Sequence, residues 1–332
     1  MLYPLKFKPI LKERLWGGCR LGSLLGKKYP NTEQHFGESW DLSAVEKSES
    51  VVTNGFLKGN TLAEIAEIYM SDLLGESVYE AYGDKFPLLI KFIDSAQALS
   101  VQVHPNDEMA QEQSDSFGKN EMWYVMEAEP DSEIIVGFTK PVNRLEFASH
   151  IKNDTVSSVL KSYKVAKGDF FYIPAGTIHA IGKGVLLLEV QQSSDITYRI
   201  YDWGRTDSNG NPRELHQELA LQAIDFELQA QGLQRIPENL NVKQRLIECP
   251  YFNVSRWVVD KEVNFDLYES EIDSFVIIIC IEGIGTIVSD GNSTVSIKKG
   301  ELVLIPAEIA NFTLVPKRES VFIEVNIPER KE

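Results

Sequence analysis

The chain contains few cysteines and no long apolar run. Its 332 residues include three cysteines, Cys19, Cys249 and Cys280, which form no Cys-x-x-Cys pair. This pattern argues against a disulfide framework and against a thiolate metal site, and it favours a reducing compartment. The longest apolar run, Phe275 to Ile281, is far shorter than the roughly 20 residues of a membrane-spanning helix, so we interpret it as a buried strand.

The amino terminus also lacks the pattern of a secretion signal. Residues 1–7, Met-Leu-Tyr-Pro-Leu-Lys-Phe, carry a proline and a lysine where a signal peptide has its apolar core. Together with the sparse cysteines, this predicts a cytoplasmic protein that has no membrane partner.

Positive charge is scarce. Lysine and arginine total 33 against 49 aspartates and glutamates, which gives a formal net charge of −16 at pH 7. A negative protein repels nucleic-acid phosphates and anionic membrane surfaces. We therefore expect no nucleic-acid partner.

One segment of the chain occurs twice. Residues 168–179, Gly-Asp-Phe-Phe-Tyr-Ile-Pro-Ala-Gly-Thr-Ile-His, return 132 positions later as residues 300–311, Gly-Glu-Leu-Val-Leu-Ile-Pro-Ala-Glu-Ile-Ala-Asn. Because a chain of this length usually needs more than one core, the repeat predicts two related β barrels. The second copy carries Asn311 where the first has His179, and we expect chemistry in the first barrel only.

Several segments interrupt the predicted strands. Apolar residues at helical spacing behind a capping box predict a helix over residues 61–75. Residues 106–118 are polar and indicate a loop or short helix, and residues 143–162 show helical spacing. The pair Asn211-Pro212 predicts the capped start of another helix.

The last part of the chain is rich in short strands. These fill residues 254–327, which predicts a small all-β barrel or sandwich. Before them, residues 229–248 are polar and contain Pro237, as expected for a linker. The predicted domains are therefore residues 1–236, with the helical insertions, and residues 237–332.

Three predicted strands of the first barrel bring together side chains that bind metals. Residues 99–104 alternate between faces, so that Gln102 and His104 share one polar face. A polar face alone also fits the solvent side of a strand. However, Glu121 opens the next strand, and His179 follows a Pro-x-Gly turn. Two imidazoles, a carboxylate and an amide oxygen suit a divalent ion, zinc first, with Mn, Fe, Co and Ni as alternatives.

The other histidines carry no such pattern. His35 lies in a polar loop, His150 in a predicted surface helix and His216 near a predicted helix start. We interpret all three as solvated or structural.

Eight short sequence blocks follow one another along the first two thirds of the chain. They are residues 15–18 (LWGG), 37–40 (GESW), 86–91 (FPLLIK), 99–107 (LSVQVHPND), 119–124 (KNEMWY), 174–182 (PAGTIHAIG), 188–195 (LEVQQSSD) and 198–205 (YRIYDWGR). This ordered set covers at least residues 4–205, and it resembles the type I mannose-6-phosphate isomerases of the cupin class, in their short bacterial form.

The resemblance implies a mainly β fold of two cupin domains, which are jelly-roll β barrels, with helical insertions and a degenerate second barrel. It implies one zinc ion per chain, with Gln102, His104, Glu121 and His179 as ligands. It also implies the interconversion of D-mannose 6-phosphate and D-fructose 6-phosphate. The expected partner is thus a small sugar phosphate, and we expect a monomer or a weak homodimer.

The resemblance further implies three catalytic residues, Lys119, Asp195 and Arg199. The implied reaction moves a proton from C2 to C1 of the sugar through an enediol. Arg199 is expected to stabilise the developing negative charge. Either Lys119, with a pKa depressed by a nearby cation, or Asp195 is expected to act as the base. Lys119, Arg199 and Arg205 are the candidate cations for the phosphate.

Two other functions fit the same kind of barrel. A metal-dependent dioxygenase also uses two histidines and a carboxylate, but Gln102 and Lys119 argue against it. A non-catalytic sugar-binding cupin is the other alternative, and the complete ligand set argues against that function.

Overall fold

The computed structural model describes residues 1–30, 35–206, 210–290 and 293–329 of the chain. Within these ranges most elements are strands, arranged in four sheets, with short helices between them. None of the described helices combines the length and the apolar composition that a membrane crossing requires. The expected mainly β architecture with helical insertions is confirmed.

The strands form two groups, and all strands of the first half precede those of the second half along the chain. The first-half strands are β1 (Ile10–Gly18), β2 (Phe36–Leu42), β3 (Leu88–Ser95), β4 (Val101–Val103), β5 (Glu121–Ala128), β6 (Glu133–Phe138), β7 (Leu160–Lys164), β8 (Phe170–Ile173), β9 (His179–Ile181), β10 (Val185–Gln192) and β11 (Tyr198–Tyr201). The second-half strands are β12 (Lys243–Glu248), β13 (Asn253–Val259), β14 (Val263–Asp266), β15 (Val276–Glu282), β16 (Ile284–Ser289), β17 (Ser293–Lys298), β18 (Leu302–Ile305), β19 (Asn311–Pro316) and β20 (Ser320–Asn326). The helices are α1 (Arg20–Ser23), α2 (Leu62–Leu74), α3 (Glu76–Tyr82), α4 (Asp107–Ser114), α5 (Arg144–Lys152) and α6 (Gln217–Ala223), and Val156–Val159 form a 3-10 turn.

Each half consists of two sheets that pack face to face. The first half pairs a sheet of order β1-β2-β3-β10-β5-β8 with one of order β11-β4-β9-β6-β7. The second half pairs β12-β13-β20-β15-β18 with β14-β19-β16-β17. In the first half, Trp123 and Val125 of one sheet share a core with Val136 and Ile181 of the other. This burial of apolar surface holds the two sheets together.

A further core joins the two halves. On β15, Ile277 and Ile279 pack in a cluster that also holds Leu188 of the first half, whereas Val276 and Ile278 pack inside the second half. Because β15 is covered on both faces, its sequence is apolar without alternation. The interpretation of this run as a buried strand is confirmed.

The repeated segment folds alike in both halves. Strands β8 and β18, and likewise β9 and β19, begin 132 positions apart. The glycines before them, Gly168 and Gly300, have φ of 89° and 79°, a conformation that glycine adopts without strain. Strand β8 pairs with β5 as β18 pairs with β15. The two halves are therefore structural repeats.

The predicted helix over residues 61–75 is confirmed. Thr61 accepts from the backbone of Glu64, and the Glu64 side chain accepts from the backbone of Thr61. At Gly75, whose φ is 93°, the chain turns and starts a second helix, α3. The sequence pattern does not reveal this second helix, which carries little apolar periodicity.

The other insertions follow the predictions in part. Helix α4 lies within residues 106–118, and α5 lies within residues 143–162. The helix predicted to start at residues 211–212 is wrong, because Pro212 forms a bridge with Thr206 and α6 begins only at Gln217.

The segment between the halves contacts both of them. Gln234 forms a bridge with Phe170 of the first half. The buried guanidinium of Arg256 donates to the carbonyls of Ile236 and Pro237 from the second half. The end of the expected linker, residues 243–248, is strand β12. The boundary at residue 236 remains our proposal.

Candidate active site

The register of the smaller first-half sheet aligns three predicted site residues. Gln102 on β4 pairs with His179 on β9, and Arg199 on β11 pairs with Gln102 from the other side. Directly opposed residues of antiparallel strands share a face. Since His179 also pairs with Val136, which belongs to the inner core, this row of side chains faces the interior of the first half.

Glu121 reaches the same point from the opposite sheet. It is the first residue of β5 and is fully buried. Its Oε1 lies 3.3 Å from Nε2 of His179, and its Oε2 lies 3.5 Å from Nε2 of His104. The donor atoms of these three residues all lie within 4.8 Å of one another. The Gln102 amide completes the group by donating from Nε2 to Nε2 of His179 over 3.3 Å.

Backbone carbonyls fix the orientation of both imidazoles. Nδ1 of His104 bonds the carbonyl of Ile196, and Nδ1 of His179 bonds the carbonyl of Thr177, each at 2.9 Å. Nδ1 is therefore the protonated nitrogen, and the lone pair of Nε2 faces Glu121. Burial, and then the charge of Lys119, lowers the pKa of both rings, that of His179 to about 3. Both rings are neutral at pH 7, as metal ligation requires.

The turn before His179 is held against the strand that carries His104. The backbone N–H of Gly176 donates to the carbonyl of His104 over 2.9 Å. Gly176 has a φ of 83°, and a Cβ there would lie 2.9 Å from Cβ of Asp225. Only glycine satisfies both demands without strain, which explains its place in the Pro-x-Gly turn.

The carboxylate of Glu121 indicates that a cation belongs here. Its Oε1 is buried and accepts no hydrogen bond from the described residues. Burial raises the pKa of this carboxyl to about 7, against the lowering effect of Lys119. A buried oxygen without a donor is costly unless a cation satisfies it. Two imidazole lone pairs, a carboxylate and an amide fit a divalent ion, and this set suits zinc as well as other transition ions.

The ammonium of Lys119 lies against the same group. Its Nζ is 2.9 Å from Nε2 of His104 and 3.0 Å from Oε2 of Glu121. Burial acts to lower the pKa of Lys119, but the carboxylates of Glu121 and Glu189 outweigh it and raise that pKa. The carboxylates around Lys119 thus raise its pKa, whereas the sequence analysis expected a nearby cation to lower it.

A cavity of about 580 Å³ borders this group. Its wall contains four of the predicted residues, Gln102, Lys119, Asp195 and Arg199. Six basic and four acidic side chains line it, and the basic ones are Lys12, Arg14, Lys91, Lys119, Arg199 and Arg213. A chain of net charge −16 therefore has a cavity with a positive excess, which favours an anionic ligand.

The predicted residues Arg199, Asp195 and Arg205 differ in how they are held. Arg199 is half-buried, donates from Nε to Ser100 Oγ at 3.3 Å and from one terminal nitrogen to the carbonyl of Glu214 at 2.8 Å. Burial, and then Arg213, lowers the pKa of Arg199. Asp195 is exposed at the rim. Arg205 does not line the cavity, because it is bound to Asp202 and to the carbonyl of Ala98.

Sequence reasoning did not single out several residues of the cavity wall. Lys91 donates to Glu189 over 2.9 Å, and Trp123 donates to the other oxygen of Glu189 over 2.7 Å. Arg14 donates to Glu38 over 2.9 Å. Most of these residues lie in the sequence blocks that carry the family resemblance. Their position in those blocks was the signal that could have identified them as site residues. Lys12, Arg14 and Arg213 lie outside those blocks, although Lys12 and Arg14 alternate toward one face of β1.

The second half carries other residues at the corresponding positions. By register, Val276 on β15 stands where Glu121 stands on β5, and Asn311 stands where His179 stands. Asp266 pairs with Asn311 as Gln102 pairs with His179. Within the described ranges, the one cluster of histidine, cysteine and carboxylate groups close enough to hold a metal is the one in the first half.

The remaining histidines lie away from this cluster. His35 is exposed, and His150 lies on α5 and bonds the hydroxyl of Thr155. His216 precedes α6 and accepts from the backbone of Arg199 over 3.2 Å. The interpretation of these rings as surface or structural groups agrees with these positions.

Known proteins resemble the chain along nearly its whole length. A family model of the type I phosphomannose isomerase catalytic domain matches residues 4–141, and a model of the mannose-6-phosphate isomerase cupin domain matches residues 242–324. Mannose-6-phosphate isomerase ManA of Bacillus subtilis is 40% identical over 321 residues, which is 94% of this chain and 95% of that protein. Mannose-6-phosphate isomerase of Streptococcus mutans is 34% identical over 316 residues, again 94% of this chain and 95% of that protein.

A solved structure shows the same fold. The crystal structure of the mannose 6-phosphate isomerase from Bacillus subtilis superposes with a TM-score of 0.85 at 34% identity, over 98% of this chain and 99% of that one. The predicted cupin class of both halves is therefore confirmed.

Proposed function

Because the chain belongs to the type I phosphomannose isomerase family and is an isomerase of that family, we propose that it interconverts D-mannose 6-phosphate and D-fructose 6-phosphate through an enediol. The observation that carries this proposal is the buried His104, Glu121 and His179 group beside a cavity with excess positive charge. In this acidic chain the cavity is lined by six basic and four acidic side chains, and such a positive excess favours an anionic substrate.

Four residues of the chain would hold one zinc ion. His104 and His179 present Nε2, Glu121 presents a carboxylate without a full set of donors, and Gln102 presents its amide. The amide oxygen of Gln102 becomes available when the terminal amide is turned over. Bound there, zinc supplies Lewis-acid polarisation of substrate oxygens.

The proton transfer needs one base that serves two carbons. In the forward direction the base removes the proton from C2 of the aldose, O1 gains a proton, and the enediol forms. The base then returns the proton to C1 while O2 loses its proton, which leaves the ketose. Lys119 is buried beside the imidazoles, and Asp195 stands exposed at the rim. Burial excludes competing water protons, and a divalent cation bound beside Lys119 would offset the carboxylates that raise its pKa, so we rank Lys119 before Asp195.

Arg199 is proposed to stabilise the negative charge that develops on the enediol oxygens. Its position opposite Gln102 in the sheet supports this role, because it places a guanidinium beside the ligand group. The guanidinium is held by Ser100 and by the carbonyl of Glu214, so it is oriented before substrate binds. Preorganised donors of this kind lower the barrier because they need not reorient during the reaction.

A coupled assay for fructose 6-phosphate, with and without a chelator, tests this function. Turnover of mannose 6-phosphate that a chelator abolishes and zinc restores supports it. Oxygen uptake with ferrous iron and no isomerase activity would favour the dioxygenase alternative. Binding of sugar phosphate without any turnover would favour a non-catalytic sugar-binding cupin.

We further propose that the protein acts in the cytoplasm as a monomer or a weak homodimer. The sparse, unpaired cysteines support a reducing compartment, since the described structure contains three free thiols. Sedimentation at several protein concentrations tests the assembly state.

A further inference from the structure

We propose that Arg213 binds the phosphate group of the substrate and thereby distinguishes the sugar phosphate from the free sugar. This inference rests on the proposed function. It assigns a substrate-binding role to a residue outside the sequence blocks that carry the family resemblance, on the loop between β11 and α6.

Most basic groups around the cavity are neutralised by a carboxylate of its wall or floor. Arg14 pairs with Glu38 at 2.9 Å, and Lys91 pairs with Glu189 at 2.9 Å. Lys119 pairs with Glu121 at 3.0 Å. These three pairs contribute little net charge toward a ligand.

Lys12 is also engaged. Its ammonium donates to the hydroxyl of Ser48 over 2.7 Å and lies 4.4 Å from the ring centre of Trp40. Burial, and then Arg14, lowers the pKa of Lys12, while Glu38 and Asp195 of the same cavity act in the opposite direction. The arginines that have no carboxylate of the described lining as a partner lie on another wall.

That wall carries Arg199 and Arg213. The side chain of Arg199 donates to neutral acceptors, a hydroxyl and a backbone carbonyl. Arg213 donates from Nε to Asp202 over 2.7 Å, but Asp202 lies outside the cavity lining and also binds Arg205. One carboxylate thus serves two arginines, so Arg199 and Arg213 together keep between one and two positive charges on this wall of the cavity.

The two guanidiniums are close enough to repel each other. The positive charge of Arg213 acts against the charged form of Arg199. A phosphate monoester carries a charge of about −1.5 to −2 at pH 7, which matches the unbalanced charge of this wall. Binding such a group relieves the repulsion, so this pair of guanidiniums favours a dianion over a neutral sugar.

The two arginines lie at different positions, which indicates different roles for them. Arg199 pairs with Gln102 across the sheet, so it lies next to the ligand group and the reacting carbons. Arg213 comes from the loop beyond β11, which the bridge between Thr206 and Pro212 closes. Asp202 holds Nε and one terminal nitrogen of Arg213, and its other terminal nitrogen has no hydrogen-bond partner among the described residues. Guanidinium N–H groups match phosphate oxygens in direction as well as in charge.

The test uses a probe that binds but does not react. Mannitol 6-phosphate has the phosphate and no carbonyl, so its dissociation constant reports phosphate binding apart from turnover. We expect Arg213→Gln to weaken mannitol 6-phosphate and to raise KM for mannose 6-phosphate by roughly 10- to 100-fold, the range for lost hydrogen bonds to a charged group. Metal content should not change, and kcat should fall much less than kcat/KM. Arg213→Lys should give an intermediate loss, because it keeps the charge without the paired donors.

The matched control is Arg235→Gln. Arg235 also binds an aspartate through two nitrogens, Asp169 at 2.6 and 2.8 Å, and it does not line the cavity. We expect this variant to bind the probe as the wild type does. Wild-type affinity in Arg213→Gln would overturn the inference, and so would an equal loss in both variants.

The outcome separates this inference from the proposed function. If the wild type isomerises mannose 6-phosphate and Arg213→Gln does so with an unchanged KM, the inference fails and the function stands. If the wild type binds mannitol 6-phosphate through Arg213 but catalyses no isomerisation, the phosphate site stands and the proposed function fails.

Discussion

Gln102 lies directly opposite Arg199 between β4 and β11, and directly opposite His179 between β4 and β9. An imidazole, an amide and a guanidinium therefore form a row along one face of a sheet. Strand register sets the spacing of these residues along the sheet. In the proposed mechanism one end of the row binds the metal, and the other end meets the charge that develops on the substrate.

His179→Ala should abolish metal binding and activity together. The change removes one of two imidazole ligands and leaves Glu121 without its neighbour at 3.3 Å. Metal analysis and the fructose 6-phosphate assay on the same sample check this. The matched control is Asn311→Ala at the equivalent position of the second half, which should change neither quantity. An active His179→Ala protein without metal would remove His179 from the ligand set.

Arg199→Ala should keep the metal and lose at least ~100-fold in kcat, the scale for one donor to a developing charge. The wild-type guanidinium is held by two hydrogen bonds, so the loss concerns an oriented group. Steady-state kinetics with metal analysis measures this. Arg199→Lys should recover only part of the rate, because an ammonium lacks the planar donors. Turnover near that of the wild type in Arg199→Ala would exclude Arg199 from the mechanism.

Lys119→Met and Asp195→Asn separate the two candidate bases. Loss of a deuterium label from C2 of mannose 6-phosphate, whether the label moves to C1 or to solvent, reports the first proton transfer directly. We expect Lys119→Met to lose both label transfer and turnover, because its Nζ lies 3.0 Å from Glu121 inside the buried group. Asp195→Asn should retain most of both, because Asp195 is exposed. The reverse pattern would make Asp195 the base.

Gly176→Ala should destabilise the fold by about 1–3 kcal/mol, because a Cβ is strained at positive φ. In Gly176→Ala this strain adds to a close contact, because the new Cβ would lie 2.9 Å from Cβ of Asp225. The control is Gly26→Ala, where φ is 68° and no atom lies within 4 Å of the added Cβ. It should cost about 1 kcal/mol from backbone conformation alone. Denaturant unfolding measures both, and equal losses would show that the Asp225 contact has no effect.

The sequence predicted those parts of the fold that have a local pattern. The repeat at 132 positions located β8, β9, β18 and β19, because strand, turn and strand recur with the same glycine and proline. The capping box located α2, since its two reciprocal hydrogen bonds involve residues three apart. Alternation along β4 placed Gln102 and His104 on one face, and the structure shows that this face points inward.

Other features depend on contacts that form only in the folded chain and that no local sequence pattern indicates. The helix expected at residue 212 is replaced by the bridge to Thr206, which forms only once the loop has closed. The sequence analysis names Arg205 as a candidate cation for the phosphate, but in the structure it donates to Asp202 and to the carbonyl of Ala98. Lys91 and Glu189 are about a hundred residues apart and meet because β3 and β10 are neighbours in the sheet.

The central claim is that a divalent ion bound by the first half is required for isomerisation. Metal analysis of protein purified without added ions, followed by the coupled assay before and after chelation, tests it most directly. The account predicts one divalent ion per chain, loss of fructose 6-phosphate formation on chelation, and recovery when zinc is added back. Undiminished isomerase activity in protein shown to be free of metal would contradict it.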